Sequence, residues 1–307
     1  MKSHILFNVG FAVVFFLAFT FILSLYKDDF VQALDSDDYF PKDATLGMNA
    51  CQNWTEDVRD FNPTEVAEEI SVLMYHRVVA DDDVADIHLD ENGEMLSTVI
   101  TKSAFEAQMK LLHDENYTTL TAKELEYFIK GDLEIPEKSV VLTFDDGFKD
   151  NAIEVYPVLK KYDMNAISFI ITSAIKKYDQ DYQASEYQYF SLDDLKNTCD
   201  VFEFQSHTYN FHKREKDHTP YLIGKEDPIV EKDLQASLYN LEGRNQAFAS
   251  PYGEYDEENI ELFKKLGFNI AFTTNPVSTE IGTNPYEIPR KEIFPSDSIE
   301  DFKQKIE

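Results

Sequence analysis

Basic residues are scarce in this sequence. Its 307 residues include 28 lysines and arginines against 58 aspartates and glutamates, which gives a formal net charge of -30. Such a surface repels nucleic acid and anionic membrane surfaces, so the sequence argues against both as partners. The charge is compatible with a neutral or cationic ligand, and a solvated acidic surface that keeps the protein soluble accounts for most of it.

Cysteine is also rare, since Cys51 and Cys199 are the only two. Outside a cell they could pair, but residues so far apart in the sequence cannot be paired by inspection. The disulfide therefore stays an open question at this stage. Neither cysteine directly follows a hydrophobic run, which argues against a lipid-anchored cysteine.

Long hydrophobic runs are absent except at the N-terminus. From Ile5 to Tyr26 no residue is charged, and about 20 apolar residues suffice to cross a bilayer as a helix. No small-x-small site lies between Ser24 and Phe30, which favours an uncleaved signal anchor over the competing interpretation, a cleaved signal peptide. Lys2 before the run and Asp28 and Asp29 after it place the rest of the chain outside the cell. We predict a single-pass cell-membrane protein, or a secreted one if the segment is cleaved.

Composition divides the chain into three parts. Residues 1–26 are the predicted transmembrane anchor, and residues 27–69 are acid-rich without sustained periodicity. The second part indicates a stalk, which the single tryptophan, Trp54, is expected to dock onto the body. The body, residues 70–307, alternates strand and helix patterns. We see no internal repeat and no low-complexity tract.

The body predicts an α/β fold. Strand patterns lie at residues 71–79, 139–144, 166–172, 201–206, 246–250 and 268–273, and the clearest helical patterns lie at residues 150–161, 229–241 and 257–266. Strands that alternate with helices indicate parallel pairing with crossovers. The carboxyl ends of such strands are where chemistry gathers in an α/β barrel.

Polar side chains stand at the predicted carboxyl ends of four strands. They are His76, Asp145 with Asp146, His207, and Tyr252. Each has an ordinary structural explanation when taken alone, for example a carboxylate that caps the helix after an Asp-Asp-Gly turn. Their coincidence at strand ends predicts a single site.

The two histidines of Ser206–His212 strengthen this prediction. His207 and His212 are five positions apart and do not share a helix face, but a short loop can bring both imidazoles to one point. Two imidazole nitrogens and one carboxylate oxygen form a ligand set that leaves a position open, as catalytic zinc sites do. With a carboxylate of Asp145 or Asp146 nearby, the pattern predicts a metal site rather than a polar loop.

These motifs resemble those of a known family. Thr143–Gly147, Ser206–His212 and Phe248–Gly253 resemble, in this order, the motifs of the polysaccharide deacetylases (NodB homology, carbohydrate esterase family 4). Leu73–Val78 and the five-residue histidine spacing are similar to the poly-β-1,6-N-acetylglucosamine deacetylase branch. The resemblance implies a distorted (β/α) barrel that hydrolyses acetamido groups on a hexosamine polymer.

The resemblance also implies roles for the site residues. Asp146, His207 and His212 would hold a divalent metal, and Asp145 would be the general base. Zn²⁺ is the expected ion, with Co²⁺, Ni²⁺, Fe²⁺ and Mn²⁺ as alternatives, because this ligand set accepts several divalent ions. A backbone N–H near Tyr252 would help to stabilise the oxyanion.

Two departures from the common family pattern sharpen the assignment. The family takes its general acid from a late Leu-x-His motif, but the last histidine here is His218. His76 is therefore the best candidate for the acid, with a purely structural histidine as the alternative. Ala249 stands where the family has an arginine. Ile288-Pro289-Arg290 resembles the compensating element of the branch, so we expect Arg290 to orient Asp145 and keep it ionised.

The sequence thus predicts a metal-dependent N-deacetylase of an extracellular poly-N-acetylglucosamine, a biofilm exopolysaccharide. Deacetylation of peptidoglycan, chitin-like or O-acetylated glycans is the first alternative, and the histidine spacing and absent late histidine disfavour it. A non-catalytic carbohydrate-binding barrel is the second, and the complete ligand set disfavours it. An acidic surface suits a polymer that becomes cationic as it loses acetyl groups.

Overall fold

The computed structural model describes residues 39–307 and, ahead of them, residues 11, 15, 16, 19 and 20. The chain divides into two compact units, residues 1–41 and 42–307. Apart from those five positions, which are helical, the predicted anchor lies outside the described residues. Among the residues that are described, no helix is both long and apolar enough to cross a membrane. The anchor stays a prediction.

The second unit is built on a mainly parallel sheet flanked by helices. Its strands are β1 (Glu69–Tyr75), β2 (Arg77–Val79), β3 (Val99–Thr101), β4 (Thr118–Thr119), β5 (Ser139–Phe144), β6 (Ala166–Ile170), β7 (Phe202–Ser206), β8 (Ala247–Ala249), β9 (Ile270–Phe272), β10 (Thr279–Glu280) and β11 (Lys291–Glu292). Its helices are α1 (Lys102–Asp114), α2 (Ala122–Lys130), α3 (Tyr156–Lys161), α4 (Leu192–Thr198), α5 (Tyr221–Gly224), α6 (Asp227–Asn240), α7 (Glu257–Leu266) and α8 (Ile299–Ile306).

The sheet has the order β10-β1-β5-β6-β7-β8-β9, and in addition β11 pairs with β1 and β4 pairs with β5. All of its pairings are parallel except that of β10 with β1. Every residue of β5, β6 and β7 is buried, as expected for parallel strands covered on both faces. The predicted α/β class is confirmed, as an α/β half-barrel.

The segment 285–292 connects β9, at one end of the sheet, with β1, near the other end. Ile288 pairs with Phe272 of β9, and Lys291 pairs with Leu73 of β1. The segment therefore lies between both ends of the sheet and carries Arg290 into the interior, where the side chain is fully buried.

The predicted strand 71–79 is divided in two, so that prediction was wrong. β1 ends at Tyr75, and β2 leaves the main sheet to pair with β3. A buried ion pair directs the turn, because Arg77 Nε lies 2.7 Å from Asp150 Oδ2. An apolar run indicates burial but does not say which strand it will pair with. His76 stands at the break.

The residues before β1 pack on the body of the second unit. Cys51 and Cys199 form a disulfide bond, which answers the question left open by the sequence. The Trp54 indole Nε1–H donates to the Cys199 carbonyl at 2.7 Å, as its expected docking requires. The buried Gln52 amide bonds with the backbone of Phe202 and Phe204 in β7. From residue 42 onward, the acid-rich part is therefore attached to the barrel.

Candidate metal and active site

The singled-out residues all follow strands of the same parallel sheet. His76 follows β1, Asp145 and Asp146 follow β5, His207 follows β7, and Tyr252 lies just beyond β8. Because these strands are parallel, their carboxyl ends share one edge of the sheet. The structure thus brings the predicted site residues to one end of the barrel.

The Asp-Asp-Gly turn positions two carboxylates at this edge. Asp146 has a φ of 73° and Gly147 a φ of 78°, both left-handed. A side chain at Gly147 would place its Cβ 2.9 Å from Ile170 Cγ2, so the turn requires glycine. The backbone N–H of Asp145 donates to the Tyr75 carbonyl at 3.0 Å, which ties this turn to the end of β1. A left-handed aspartate is a strained conformation that often marks a functional site.

Three side chains converge as a candidate metal-binding set. Asp146 Oδ1 lies 3.5 Å from His207 Nε2 and 3.2 Å from His212 Nε2. One ligand atom from each residue lies within 4.8 Å of the others. The structure therefore assembles one carboxylate and two imidazoles, as the histidine spacing predicted.

The hydrogen bonds of this set fit a bound cation. His207 Nδ1 lies 2.8 Å from the Ala249 carbonyl, so Nδ1 carries the proton and Nε2 presents its lone pair toward Asp146. Asp146 Oδ1 is buried and receives no hydrogen bond from the residues that the structure describes. A buried carboxylate oxygen facing two ring nitrogens is a favourable environment for a divalent ion.

Charges in the set reinforce this fit. Burial opposes ionisation of Asp146, but His207 and His212 lower the pKa of its carboxyl group far below the usual range. Burial alone would lower the pKa of His207, yet its contact with Asp146 raises it. Burial lowers the pKa of His212 and so favours the neutral ring that a metal requires. Together these shifts indicate a position that attracts positive charge.

The loop between the two histidines is held by a buried carboxylate. Asp233 of α6 accepts hydrogen bonds from the backbone N–H groups of Tyr209 and Asn210 at 2.9 and 3.0 Å. Thr208 is left-handed, with a φ of 76°, and its N–H donates to Ser206 Oγ at 3.2 Å. These contacts fold the loop back, which lets histidines five positions apart meet.

Asp145 occupies a different environment from its neighbour. Arg290 Nη1 and Nη2 donate to its two carboxylate oxygens at 2.7 and 2.8 Å. Arg290 is held in turn by the Thr273 carbonyl, 3.0 Å from its Nε. Burial would raise the pKa of Asp145, but the charge and hydrogen bonds of Arg290 hold it below the usual range. Asp145 is therefore ionised at neutral pH and lies beside the metal-binding set.

His76 and Glu292 lie on the side of the site formed by β1. The charge of His76 helps to lower the pKa of both Asp145 and Asp146, so its half-buried ring is close to both carboxylates. Burial raises the pKa of Glu292, whereas His76 acts to lower it. Sequence reasoning missed Glu292, which is brought here because β11 pairs with β1 at Met74. A two-residue strand has no recognisable sequence pattern.

Two tyrosines accompany the metal-binding set. The Tyr252 ring lies 4.5 Å from that of His212, and Tyr252 is left-handed, with a φ of 63°. Tyr189 pairs with Phe148, which follows Asp146 by two residues, and burial and the charge of Asp146 raise the pKa of Tyr189 to about 12. Tyr189 was missed because residues 174–190 are polar and tyrosine-rich and show neither a strand nor a helix pattern.

Comparisons with known proteins agree with this geometry. A family model described as polysaccharide deacetylase matches residues 132–271. YxkH of Bacillus subtilis, whose name assigns it to the polysaccharide deacetylases, is 30% identical over 258 residues, covering 83% of this chain and 82% of that protein. The poly-β-1,6-N-acetyl-D-glucosamine N-deacetylase of Staphylococcus aureus is 28% identical over 231 residues, covering 71% of this chain and 76% of that protein.

A solved structure extends the similarity to the fold. The deacetylase PplD of Streptococcus pyogenes, in complex with acetate, has a TM-score of 0.64 and 25% identity, covering 78% of this chain and 98% of that chain. The match to YxkH spans most of both chains, which confirms the resemblance drawn from the motifs. The chain therefore belongs to the polysaccharide deacetylase family, hydrolases that act on the amide bonds of N-acetylated sugars.

Proposed function

We propose that this protein is a metal-dependent N-deacetylase that removes acetyl groups from N-acetylglucosamine units of an extracellular polysaccharide, poly-β-1,6-N-acetyl-D-glucosamine. The observation that carries the proposal is the different environment of two adjacent carboxylates. Asp146 faces two imidazoles, whereas Asp145 is held by Arg290. One carboxylate is arranged to bind a cation, and the other remains available for proton transfer.

Asp146, His207 and His212 would hold the metal, most simply Zn²⁺, given two imidazoles and one carboxylate. When bound there, a divalent ion would activate water as a nucleophile and polarise the acetyl carbonyl. The protein's own contribution is to present Nε2 of both histidines toward Asp146 Oδ1. The Ala249 carbonyl fixes the tautomer of His207 by accepting its Nδ1 proton.

Asp145 would act as the general base. It accepts the proton of the attacking water, and Arg290 keeps the carboxylate ionised and oriented before the transfer. Its position next to Asp146 in the chain, held by the turn at Gly147, supports this role because a base must lie within hydrogen-bond reach of the nucleophile. The pairing with Arg290 uses both oxygens, so proton transfer requires one of these bonds to loosen.

His76 would act as the general acid. The leaving amine of the sugar must gain a proton when the amide bond breaks, and His76 is the histidine beside the carboxylates that is not assigned to the metal. Its charge acts on Asp145 and Asp146 from the end of β1. The half-buried Glu292 lies on the same side. A backbone N–H near Tyr252 would donate to the oxyanion of the tetrahedral intermediate.

The substrate and location rest on different support. Similarity to the Staphylococcus aureus enzyme, named for poly-β-1,6-N-acetyl-D-glucosamine, supports the polymer, as does the five-residue histidine spacing. We further propose that residues 1–26 anchor the chain in the cell membrane as a single-pass segment, with residues 27–69 leading to an extracellular catalytic domain. The uncharged run from Ile5 to Tyr26 supports the anchor.

A panel of acetylated glycans tests the substrate assignment. We would measure acetate release by the purified protein from poly-β-1,6-N-acetylglucosamine, chitin oligomers, peptidoglycan and O-acetylated xylan under identical conditions with divalent metal. The proposal predicts the highest kcat/KM on the β-1,6-linked polymer. A higher kcat/KM on another glycan would move the substrate assignment to that glycan, and the absence of release from all four would remove the enzymatic function.

A further inference from the structure

An aromatic surface, which we term the aromatic wall, lies beside the metal-binding set and consists of Phe148, Tyr187 and Tyr189. The backbone that follows the Asp-Asp-Gly turn pairs here with the tyrosine-rich segment. Phe190 N–H donates to the Gly147 carbonyl, and Lys149 N–H donates to the Gln188 carbonyl, both at 2.9 Å. Phe148 and Tyr189 are thereby opposite each other, and their rings stack at 5.2 Å with an interplanar angle of 19°.

Backbone alternation turns the tyrosines of the wall outward. Gln188 and Phe190 are buried, whereas Tyr187 is 57% exposed and Tyr189 is half-buried. Neighbouring residues of an extended segment point to opposite faces, so the two tyrosines share the face that looks away from the core. Tyr187 also lies 6.2 Å from the Phe148 ring. The wall therefore runs outward from the metal-binding end, with Tyr187 at its exposed side.

The exposed ring of Tyr187 is held in place. The Arg77 guanidinium lies 5.3 Å from the Tyr187 ring and 5.2 Å from the Phe148 ring. The Tyr187 hydroxyl donates to the Ile87 carbonyl at 3.4 Å. Arg77 itself is almost fully buried and paired with Asp150. A single exposed aromatic residue needs no explanation, but one that is fixed from two directions presents a preorganised apolar face.

Ion pairs of Lys149 hold the backbone that follows the Asp-Asp-Gly turn, next to the wall. Lys149, which is buried, lies 2.5 Å from Asp179 Oδ1 and 2.8 Å from Asp194 Oδ2. Lys149 follows Phe148 directly, so the same few residues position Asp145, Asp146 and the wall. A ligand held at the metal-binding set would therefore meet Tyr189 and Tyr187 in a fixed geometry.

We propose that the aromatic wall is a sugar-binding subsite, in which a pyranose ring of a hexosamine polymer packs its apolar C–H face on Tyr187 while a neighbouring unit occupies the metal-binding end. This inference rests on the proposed function and deepens it, because it predicts that the enzyme favours polymers over single sugars. Carbohydrate rings carry hydroxyl groups at the rim and C–H groups on the faces, so an immobilised aromatic ring is a suitable partner.

The test compares Tyr187→Ala with Tyr239→Ala. Tyr239 is a matched control because it is 54% exposed but lies near the end of α6, away from the wall. For Tyr187→Ala we expect KM for long N-acetylglucosamine oligomers to rise about three- to tenfold. The kcat, and the activity on a single N-acetylglucosamine unit, should not change. Tyr187→Phe, which keeps the ring, and Tyr239→Ala should both resemble the wild type.

Two outcomes would overturn the subsite. One is an unchanged KM for oligomers in Tyr187→Ala, and the other is an equal loss of activity on single sugars and oligomers, which would indicate a structural role in the loop. A binding experiment tests the subsite independently of the proposed function. Oligomer binding is measured by titration calorimetry on the Asp145→Asn protein with and without Tyr187→Ala, so that no turnover is needed. If the wild type releases no acetate, the proposed function fails, but weaker binding after Tyr187→Ala would still support the wall.

Discussion

Replacement of Arg290 by methionine removes the charged partner that donates to both oxygens of Asp145. The two bonds are 2.7 and 2.8 Å long, and the side chains are 0% and 4% exposed. Removing one partner of such a buried pair costs about 3–5 kcal/mol, because the remaining charge has no compensation. In Arg290→Met, Asp145 can avoid this cost by taking up a proton, so its pKa should rise.

A protonated Asp145 cannot act as a base, so the effect on rate should depend on pH. A cost of about 3 kcal/mol corresponds to an upward shift of about two pKa units. We therefore expect the acid-side limb of the kcat/KM profile, which reports ionisation of the base, to move up by about two pH units, with activity recovering as the pH is raised. The assay is acetate release across the pH range, and folding is checked by circular dichroism.

Arg59→Met is the matched control for this prediction. Arg59 also contacts both oxygens of a carboxylate, that of Glu124, at 2.7 and 2.6 Å. That pair is near Thr119, whose strand pairs with the first residues of β5, at the opposite end from the site. Arg59→Met should lower stability without moving the pH profile. A folded Arg290→Met protein with the wild-type profile would refute the assigned role of Arg290.

Three further predictions concern single residues. Asp145→Asn should lower kcat by about 10²- to 10⁴-fold while metal binding, measured by titration, is kept, and undiminished acetate release would exclude Asp145 as the base. His76→Ala should lower kcat and remove the limb of the pH profile that reports the acid, whereas full turnover at every pH would exclude it. Burial raises the pKa of Glu203 from 4.5 to about 7. The folded protein therefore favours the protonated form of Glu203. This contribution to the free energy of unfolding is complete below the pKa of the unfolded state and is lost as the pH rises through the pKa of the folded state. The free energy of unfolding, measured by urea denaturation, should decrease between pH 5 and pH 8 by about 2–3 kcal/mol less in Glu203→Gln than in the wild type. An equal decrease in both proteins would contradict this.

The sequence predicted the elements whose patterns are long and local. The buried β5 coincides with the predicted strand 139–144, and α7 has the predicted bounds, Glu257–Leu266. At the start of α7 the Asp256 carboxylate accepts from the Asn259 N–H and the Asn259 side chain accepts from the Asp256 N–H, which completes a capping box. Gly267, which is left-handed, ends the helix. A similar signal, Ser298 with Asp301, begins α8.

What the sequence could not predict depends on long-range pairing. No local pattern indicates that the backbone should leave the sheet at His76, since the apolar run continues to Val79. The pairing of β2 with β3 and the ion pair of Arg77 with Asp150 accompany this departure, and both involve residues distant in the sequence. Likewise Glu292 and Tyr189 come to the site through a two-residue strand and an irregular segment. The strand-end residues were predictable because parallel pairing alone brings them to one edge.

Metal dependence of acetate release tests the central claim most directly. The purified protein would be stripped of metal with a chelator and assayed on N-acetylglucosamine oligomers before and after Zn²⁺ is restored, with Asp146→Ala as the comparison. We predict release only after a divalent ion is restored, and none from Asp146→Ala at the same ion concentration. Equal release by the stripped protein, or full activity of Asp146→Ala, would contradict the assignment of Asp146, His207 and His212 as the metal-binding set.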